Sequence, residues 1–213
     1  KRKVKKLIDE NVVSGWDDPR LTTLAGIRRR GIPAQAIRDL AEGIGVSKRN
    51  SITEMSRLDY YTRQVLNKTA NRVMVVLDPL KVTITNFEEG KAEMCVAKNN
   101  PEDESAGTRE MPISKTLYIE RGDFMEDAPK KFFRLTNGKE VRFKHGYYIT
   151  CNEVVKDTEG NITELLCTYD PTTKGGWSDD GRKIKGTIHW VSAEHALKAK
   201  VNLYDELFNS ENP

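Results

Sequence analysis

Apolar residues recur at helical spacing in the first part of the chain. Leu21, Leu24 and Ile27 follow Asp18-Pro19 at intervals of three. This pattern predicts a helix that begins at Pro19, with the Asp18 carboxylate accepting hydrogen bonds from the free amides of the first turn.

Two further helices are predicted before residue 70. The second runs from near Pro33 to Gly43 or Gly45, and the third runs to about Lys68. The third begins at Ser51-Ile52-Thr53-Glu54, a capping-box pattern in which serine and glutamate satisfy each other's amides. The segment 45–50 between these two helices is a short basic loop.

The period changes at Arg72, where β-branched residues begin to alternate with polar ones. Short runs separated by turn signals such as Asn137-Gly138 predict strands. Strands are predicted over 72–87 around a turn at Asp78-Pro79, and over 91–98, 108–120, 132–135, 140–144, 147–156, 164–169, 187–191 and 200–207. A helical segment followed by about nine short strands predicts an α+β fold whose strands form two small antiparallel β-barrels.

Composition limits the class of protein. Of 213 residues, 37% are hydrophobic and 31% are charged, and no apolar run is long enough for a membrane helix. The N-terminal sequence has no apolar signal segment, and the three cysteines show no metal-site spacing. We therefore expect a cytoplasmic protein without a metal site or a membrane contact.

Charge is unevenly distributed along the chain. Residues 1–70 contain 15 Lys and Arg against 8 Asp and Glu, a balance of +7, and the remaining residues contain 20 against 24, a balance of −4. Arg28, Arg29 and Arg30 precede Gly31 at a predicted helix end, where cations complement the helix dipole. The N-terminal third is a candidate for contact with a polyanion, and a solvated helical surface is the alternative.

No self-sufficient active site is present in the sequence. Glycine-rich phosphate loops are absent, Asp18 is explained by capping, and His145, His189 and His195 lie in no catalytic pattern. His189, in the alternating run GTIHWV, is predicted to be a strand residue. The chain is therefore not expected to be an autonomous catalyst.

Cations beside aromatic residues mark the β region. Arg72 begins the first strand, and two runs, KKFFR at 130–134 and RFK at 142–144, combine both residue types. Aromatic rings and guanidinium planes stack on unpaired RNA bases, which makes single-stranded RNA the candidate ligand. The alternative is that these aromatic residues belong to the core, since alternation turns one of Phe132 and Phe133 inward.

Several segments resemble one known family, the class I glutaminyl-tRNA synthetases. They are GWDDPRLTTLAGIRRRG at 15–31, NRVMVVLDPLKV at 71–82, CTYDP at 167–171, GRKIKGTIHWVSAEHAL at 181–197 and LYDELF at 203–208. The resemblance covers essentially the whole chain, and GTIHWVSAEHA favours the glutaminyl over the glutamyl enzymes.

The resemblance implies a C-terminal fragment. Family members begin with a Rossmann catalytic domain, and Lys1 would be the remnant of the KMSKS-like loop that steadies ATP phosphates opposite that domain. The implied organisation is a helical connector at 1–69, a proximal anticodon-binding barrel at 70–127 that is incomplete, a distal barrel at 128–205 and a return to the proximal barrel at 206–213. The barrels would be of a type also found in a ribosomal protein.

The resemblance also implies an activity and partners. The complete enzyme joins glutamine to its tRNA with ATP and Mg²⁺, and the fragment, which has no cofactor of its own, would bind tRNA as an inactive monomer. Ser47 and Lys48 in the basic loop would lie near the tRNA backbone.

Five residues of the β region acquire implied roles in anticodon recognition. Arg72 would contact the middle base, Lys131 and Arg134 the first base and Arg142 the third, with Lys144 near the backbone. Two alternatives stay open at this point: a non-catalytic RNA-binding module similar to the ribosomal protein with a related barrel, and a glutamyl-tRNA synthetase relative.

Overall fold

The chain divides into two units. In the computed structural model, which describes residues 2–49, 51–205 and 207–208, unit 1 comprises residues 1–70 and 200–213, and unit 2 comprises residues 71–199. The α-helices lie in unit 1 and the strands in unit 2, which confirms the predicted α+β class. Lys1 lies outside the described residues, as does the predicted segment 206–213 except for Leu207 and Phe208.

Unit 1 contains short helices. They are α1 (Arg2–Asp9), α2 (Leu24–Arg29), α3 (Ala34–Ile44) and α4 (Met55–Thr69). None of the described helices is long and apolar enough to cross a membrane.

The predicted cap of α2 is wrong. The helix begins at Leu24 rather than Pro19, and its N-cap is Thr23, whose hydroxyl accepts a hydrogen bond from the amide of Gly26 at 3.0 Å. Asp18 is instead buried in the preceding loop. Its carboxylate accepts hydrogen bonds from the Ser14 amide at 2.9 Å and from the Arg20 guanidinium at 2.8 and 2.9 Å. Asp18 therefore forms a local ion pair with Arg20 and does not cap α2.

This ion pair makes the stability of unit 1 depend on pH. Hydrogen bonds from Arg20 and Ser14 hold the pKa of Asp18 well below its ordinary value of 3.8. A depressed pKa means that the stabilisation is fully present above about pH 4 and is lost as the pH falls through the lower pKa of the folded state.

Asp18→Asn is expected to lower the free energy of unfolding of unit 1 by about 1–3 kcal/mol at pH 7, because it removes the acceptor charge beside Arg20. The difference from wild type should shrink below pH 4. Hydrogen exchange of the unit 1 amides at pH 7 and at pH 3 measures both effects. The control is Asp17→Asn, because Asp17 forms an exposed pair with Arg29 and should change stability by less than about 0.5 kcal/mol. Equal effects of the two substitutions would contradict the assignment.

The predicted capping box of α4 is also wrong. The N-cap is Glu54, which makes no side-chain capping bond, and its carboxylate accepts a hydrogen bond from the Ser56 hydroxyl at 3.1 Å. The helix starts after Glu54, so glutamate does not stand at the third helical position where the box requires it. The predicted extent of α3 and the predicted end of α4 agree with the structure, whereas α4 begins at Met55 rather than directly after Ser51. Buried Ala36 and Leu58 lie on these two helices.

Unit 2 is built from nine strands. They are β1 (Pro79–Ile84), β2 (Ala92–Lys98), β3 (Thr108–Ser114), β4 (Thr116–Glu120), β5 (Glu140–Phe143), β6 (Tyr148–Lys156), β7 (Ile162–Asp170), β8 (Thr187–Ile188) and β9 (Val191–Ser192). Seven form one sheet in the order β8-β5-β6-β7-β1-β4-β9, and β2 and β3 pair separately.

The large sheet joins strands from both predicted barrels. Its β1–β7 and β5–β8 pairs are parallel and the others are antiparallel. One apolar core lies against it, with side chains from both sides of the predicted boundary at residue 127. Its largest fully buried side chains are Trp190, Tyr147 and Phe143. The two-barrel description with its boundaries stays a prediction.

Some predicted strands are absent from the described residues. Segment 132–135 has only an isolated bridge from Leu135 to Phe124, and residues 72–78 and 200–205 contain no strand. The run 108–120 is two strands, β3 and β4, rather than one. Alternation predicts which residues suit a strand, but a strand forms only where a neighbouring chain completes its hydrogen bonds.

Candidate nucleic-acid interface

The Arg142 side chain projects from the face of β5 away from the core. The strand alternates between partly exposed Glu140 and Arg142 and buried Val141 and Phe143. The guanidinium carbon of Arg142 lies over the Tyr148 ring at 5.6 Å from its centroid. It also lies over the Trp177 ring, at 5.2 Å. We call Arg142, Tyr148 and Trp177 the arginine–aromatic cluster.

A turn at Gly175-Gly176 places Trp177 beside Arg142. Gly175 and Gly176 both have φ of 83°, in the left-handed region that glycine adopts without strain. A Cβ at Gly176 would lie 2.7 Å from the Cδ of Arg142, so a larger residue at that position would displace the Arg142 side chain. The backbone therefore packs directly on Arg142, and the next side chain, Trp177, reaches its guanidinium.

Arg182 also lies over the Tyr148 ring, but neighbouring carboxylates neutralise its charge. Its guanidinium is 5.1 Å from the Tyr148 ring centroid. It forms ion pairs with Glu140 at 2.9 Å and with Asp170 and Asp180. The hydrogen bond to Glu140, followed by those to the two aspartates, raises the pKa of Arg182. These carboxylates make Arg182 a structural cation that connects β5, β7 and the following loop.

Phe133 and Lys185 form a neighbouring cation–aromatic pair. The Lys185 ammonium lies 5.3 Å from the Phe133 ring centroid, and the Phe133 side chain is exposed. Gly186 links this pair to the cluster, because its carbonyl accepts a hydrogen bond from the Arg142 amide at 2.9 Å. A Cβ on Gly186 would meet the Phe133 carbonyl oxygen at 2.4 Å. The two groups therefore share the β5–β8 edge of the sheet.

Arg134 is held by a buried carboxylate. Its guanidinium forms an ion pair with Asp123, which is 2% exposed. The second carboxylate oxygen, Oδ2, has no hydrogen-bond partner and lies 4.0 Å from Nδ1 of His189. The other nitrogen of His189 is 2.8 Å from the Val75 carbonyl oxygen. His189 therefore connects the Arg134 site to the extended segment that carries Arg72.

Arg72 lies beside the turn that joins β2 and β3. Its amide donates a hydrogen bond to the Asn99 carbonyl at 2.6 Å, and its guanidinium is 3.9 Å from the carboxylate of Glu102. About a third of the side chain is exposed. Arg72 and Arg134 are thus both presented at the surface of unit 2, each beside a carboxylate.

The remaining predicted binding residues are exposed. Lys131 and Lys144 lie on unit 2, and the Lys144 carbonyl accepts a hydrogen bond from the indole of buried Trp190 at 3.1 Å. Ser47 and Lys48 lie in the loop after α3 of unit 1, where the Ser47 hydroxyl accepts a hydrogen bond from the Arg49 amide at 3.1 Å. Among the residues that the structure describes, no group of His, Cys, Asp or Glu could hold a metal ion.

Sequence patterns do not identify Trp177, Tyr148 or Lys185 as part of this surface. The prediction that His189 is a strand residue is wrong, because His189 lies between β8 and β9. Tyr148 stands in a strand-like run, and Trp177 stands among glycine and polar residues. A lone tryptophan between Gly-Gly and Ser-Asp-Asp was the available signal, because an indole in such a loop has no core to enter.

Three family models match this chain. The model for "tRNA synthetases class I (E and Q), anti-codon binding domain" matches residues 70–170, and a second model with the same description matches residues 187–213. The model for the catalytic domain of the same synthetases matches residues 1–68. Arg72, Arg134, Arg142 and Tyr148 lie within the first match, and His189 lies within the second.

Curated relatives agree with these models. A glutamine–tRNA ligase of Rhodopirellula baltica is 58% identical over the whole chain, and one of Clostridium kluyveri is 54% identical over 97% of it. A glutamine–tRNA ligase of Neisseria meningitidis is 52% identical over the whole chain. The chain spans 35, 37 and 38% of the lengths of these relatives, respectively. By these matches, the chain belongs to the class I tRNA synthetases of the glutamate and glutamine group.

Proposed function

We propose that this chain is the tRNA-binding portion of a glutamine–tRNA ligase and that unit 2 recognises the anticodon. The observation that carries the proposal is the set of arginines displayed on unit 2 within the range matched by the anticodon-binding model. Arg142 is backed by aromatic rings and Arg134 by a buried carboxylate. Both guanidinium groups are thereby held in place, which reduces the entropy lost on binding.

Each cation has a proposed role. Arg134 and Lys131 contact the first anticodon base, Arg72 the middle base and Arg142 the third, while Lys144 neutralises a phosphate. An arginine suits base recognition because its planar donors can form paired hydrogen bonds with a base edge. Ser47 and Lys48 of unit 1 contact the tRNA backbone, since their exposed loop is basic.

The activity of the complete protein is part of the proposal. It would join glutamine to its tRNA with ATP and Mg²⁺, as a cytoplasmic monomer, with Lys1 contacting ATP phosphates and with further strands completing two barrels. Lys1 lies outside the described residues, and support for this part comes from family membership alone.

Binding of tRNA transcripts tests the proposal. The chain is expected to bind a glutamine tRNA transcript at least about tenfold more tightly than a glutamate transcript, because base contacts are lost at the mismatched anticodon. Affinity should fall about 10- to 100-fold between about 50 and 200 mM salt as phosphate contacts release counterions.

Filter binding or fluorescence anisotropy measures both effects. The matched control is the glutamine transcript with only its anticodon replaced, which keeps the tRNA body and removes the base contacts. Equal affinity for the two glutamine transcripts would show that unit 2 does not recognise the anticodon. Preference for the glutamate transcript would assign the chain to the glutamyl relatives.

A further inference from the structure

Trp177 is an exposed indole that the fold does not need. Of the three tryptophans in the sequence, Trp190 is 1% exposed, Trp16 is 46% exposed and Trp177 is 75% exposed. Trp177 lies in the loop between β7 and β8, whose neighbouring residues are polar. This exposed apolar surface contributes little to folding and is accessible to a ligand.

The indole is nevertheless held in place. Arg142 lies over one face of the ring, and the Gly175-Gly176 turn packs the adjoining backbone against the Arg142 side chain. The exposure of the side chain therefore comes from the opposite face and the edges. A ring that is already ordered loses little conformational entropy when a flat ligand stacks on that open face.

The charge around Trp177 suits an RNA strand. Lys144, Lys183 and Lys185 are exposed near the β5–β8 edge, and the Phe133 ring, 51% exposed, lies under Lys185. Exposed aromatic rings interspersed with lysines are the arrangement by which proteins bind unpaired nucleotides, with bases on the rings and phosphates on the cations. Arg182 does not contribute charge to this surface, because three carboxylates neutralise it.

We propose that the open face of Trp177 is a stacking site for one unpaired base of the bound RNA. This inference rests on the proposed function, since it assumes that RNA binds to unit 2. Stacking adds affinity without selecting the base, because every base has a flat aromatic face. The β7–β8 loop thus adds a sequence-tolerant contact beside the arginines that are proposed to select the anticodon.

Affinity measurements on substituted chains test the stacking site. Trp177→Ala is expected to weaken binding of the glutamine transcript about 10-fold, and Trp177→Phe to restore most of the loss, since the loss of one base–aromatic stack is on this scale. The matched control is Trp16→Ala, which removes an exposed indole from unit 1 and should leave the affinity within about twofold of wild type. Trp177→Ala should weaken binding of the anticodon-replaced transcript by the same factor.

Tryptophan emission supplies an independent readout. In a Trp16→Phe chain, Trp177 is the solvent-exposed tryptophan that emits, because Trp190 is buried. RNA is expected to quench this emission and to protect it from acrylamide.

The outcomes separate the two proposals. Wild-type affinity of Trp177→Ala together with unquenched emission would overturn the stacking site and leave anticodon recognition intact. The stacking site would also be overturned if Trp177→Ala weakened binding of the glutamine transcript but not of the anticodon-replaced transcript, since Trp177 would then be selecting a base. Absence of tRNA binding by the wild-type chain would overturn the proposed function itself.

Discussion

Trp190→Ala is expected to lower the free energy of unfolding of unit 2 by about 3–5 kcal/mol, the range for removal of a large aromatic side chain from a packed core. Trp190 is fully buried, and its ring stacks on Phe143 with the centroids 6.3 Å apart. Its indole nitrogen also donates to the Lys144 carbonyl. The substitution therefore removes apolar burial and leaves a carbonyl at the end of β5 without its donor. Because a domain is stable by only about 5–15 kcal/mol, this is a large share of the total.

Urea unfolding followed by circular dichroism measures the loss. Trp190→Phe keeps an aromatic ring but not the hydrogen bond, so its effect should be smaller. Trp177→Ala is the matched control, because it removes the same side chain from an exposed position and should change stability by less than about 0.5 kcal/mol. A Trp190→Ala chain as stable as the Trp177→Ala chain would contradict the assigned core.

Arg142→Ala is expected to weaken binding of the glutamine tRNA transcript about 30- to 100-fold, since a charged hydrogen bond and the support of a stacking ring are lost together. The Arg142 guanidinium contacts both Tyr148 and Trp177, and its Nε is buried without a hydrogen-bond partner. Arg142→Ala therefore removes a cation from the proposed RNA-binding surface. It also removes the guanidinium group against which the Trp177 ring packs.

Arg142→Lys separates charge from shape in this test. Lysine keeps the positive charge but lacks the planar guanidinium, so it should recover only part of the affinity. Fluorescence anisotropy gives the affinities, and circular dichroism shows whether unit 2 remains folded. Full recovery with lysine would show that Arg142 acts only as a charge, and wild-type affinity of Arg142→Ala would remove it from the interface.

Much of the secondary structure could be predicted from local pattern. The extent of α3, the end of α4, and strands close to β2, β5, β6 and β7 follow from hydrophobic period and turn residues. The errors occur where a tertiary partner decides the outcome. Asp18 suits a helix cap by residue type, but Arg20 and Ser14 compete for its carboxylate and hold it in a loop.

The candidate site, too, could be predicted from the sequence only in part. Arg72, Arg134, Arg142 and their neighbouring lysines could be identified from residue type and from family resemblance. Trp177 could not be connected with Arg142, because 35 positions separate them in sequence and only the Gly175-Gly176 turn brings them together. The link from His189 to Asp123 and Val75 joins segments still farther apart along the chain.

By itself, the sequence determined the α+β class, the change from helical to alternating period near Arg72, and membership of a synthetase family. These properties depend on residue type and short spacing, which a linear chain already contains. The tertiary structure alone decided that strands from both predicted barrels share one sheet and one core, and that Trp177 rests on Arg142. Strand partners and aromatic contacts are chosen by burial and backbone pairing across long separations, and these are defined only once the chain has folded.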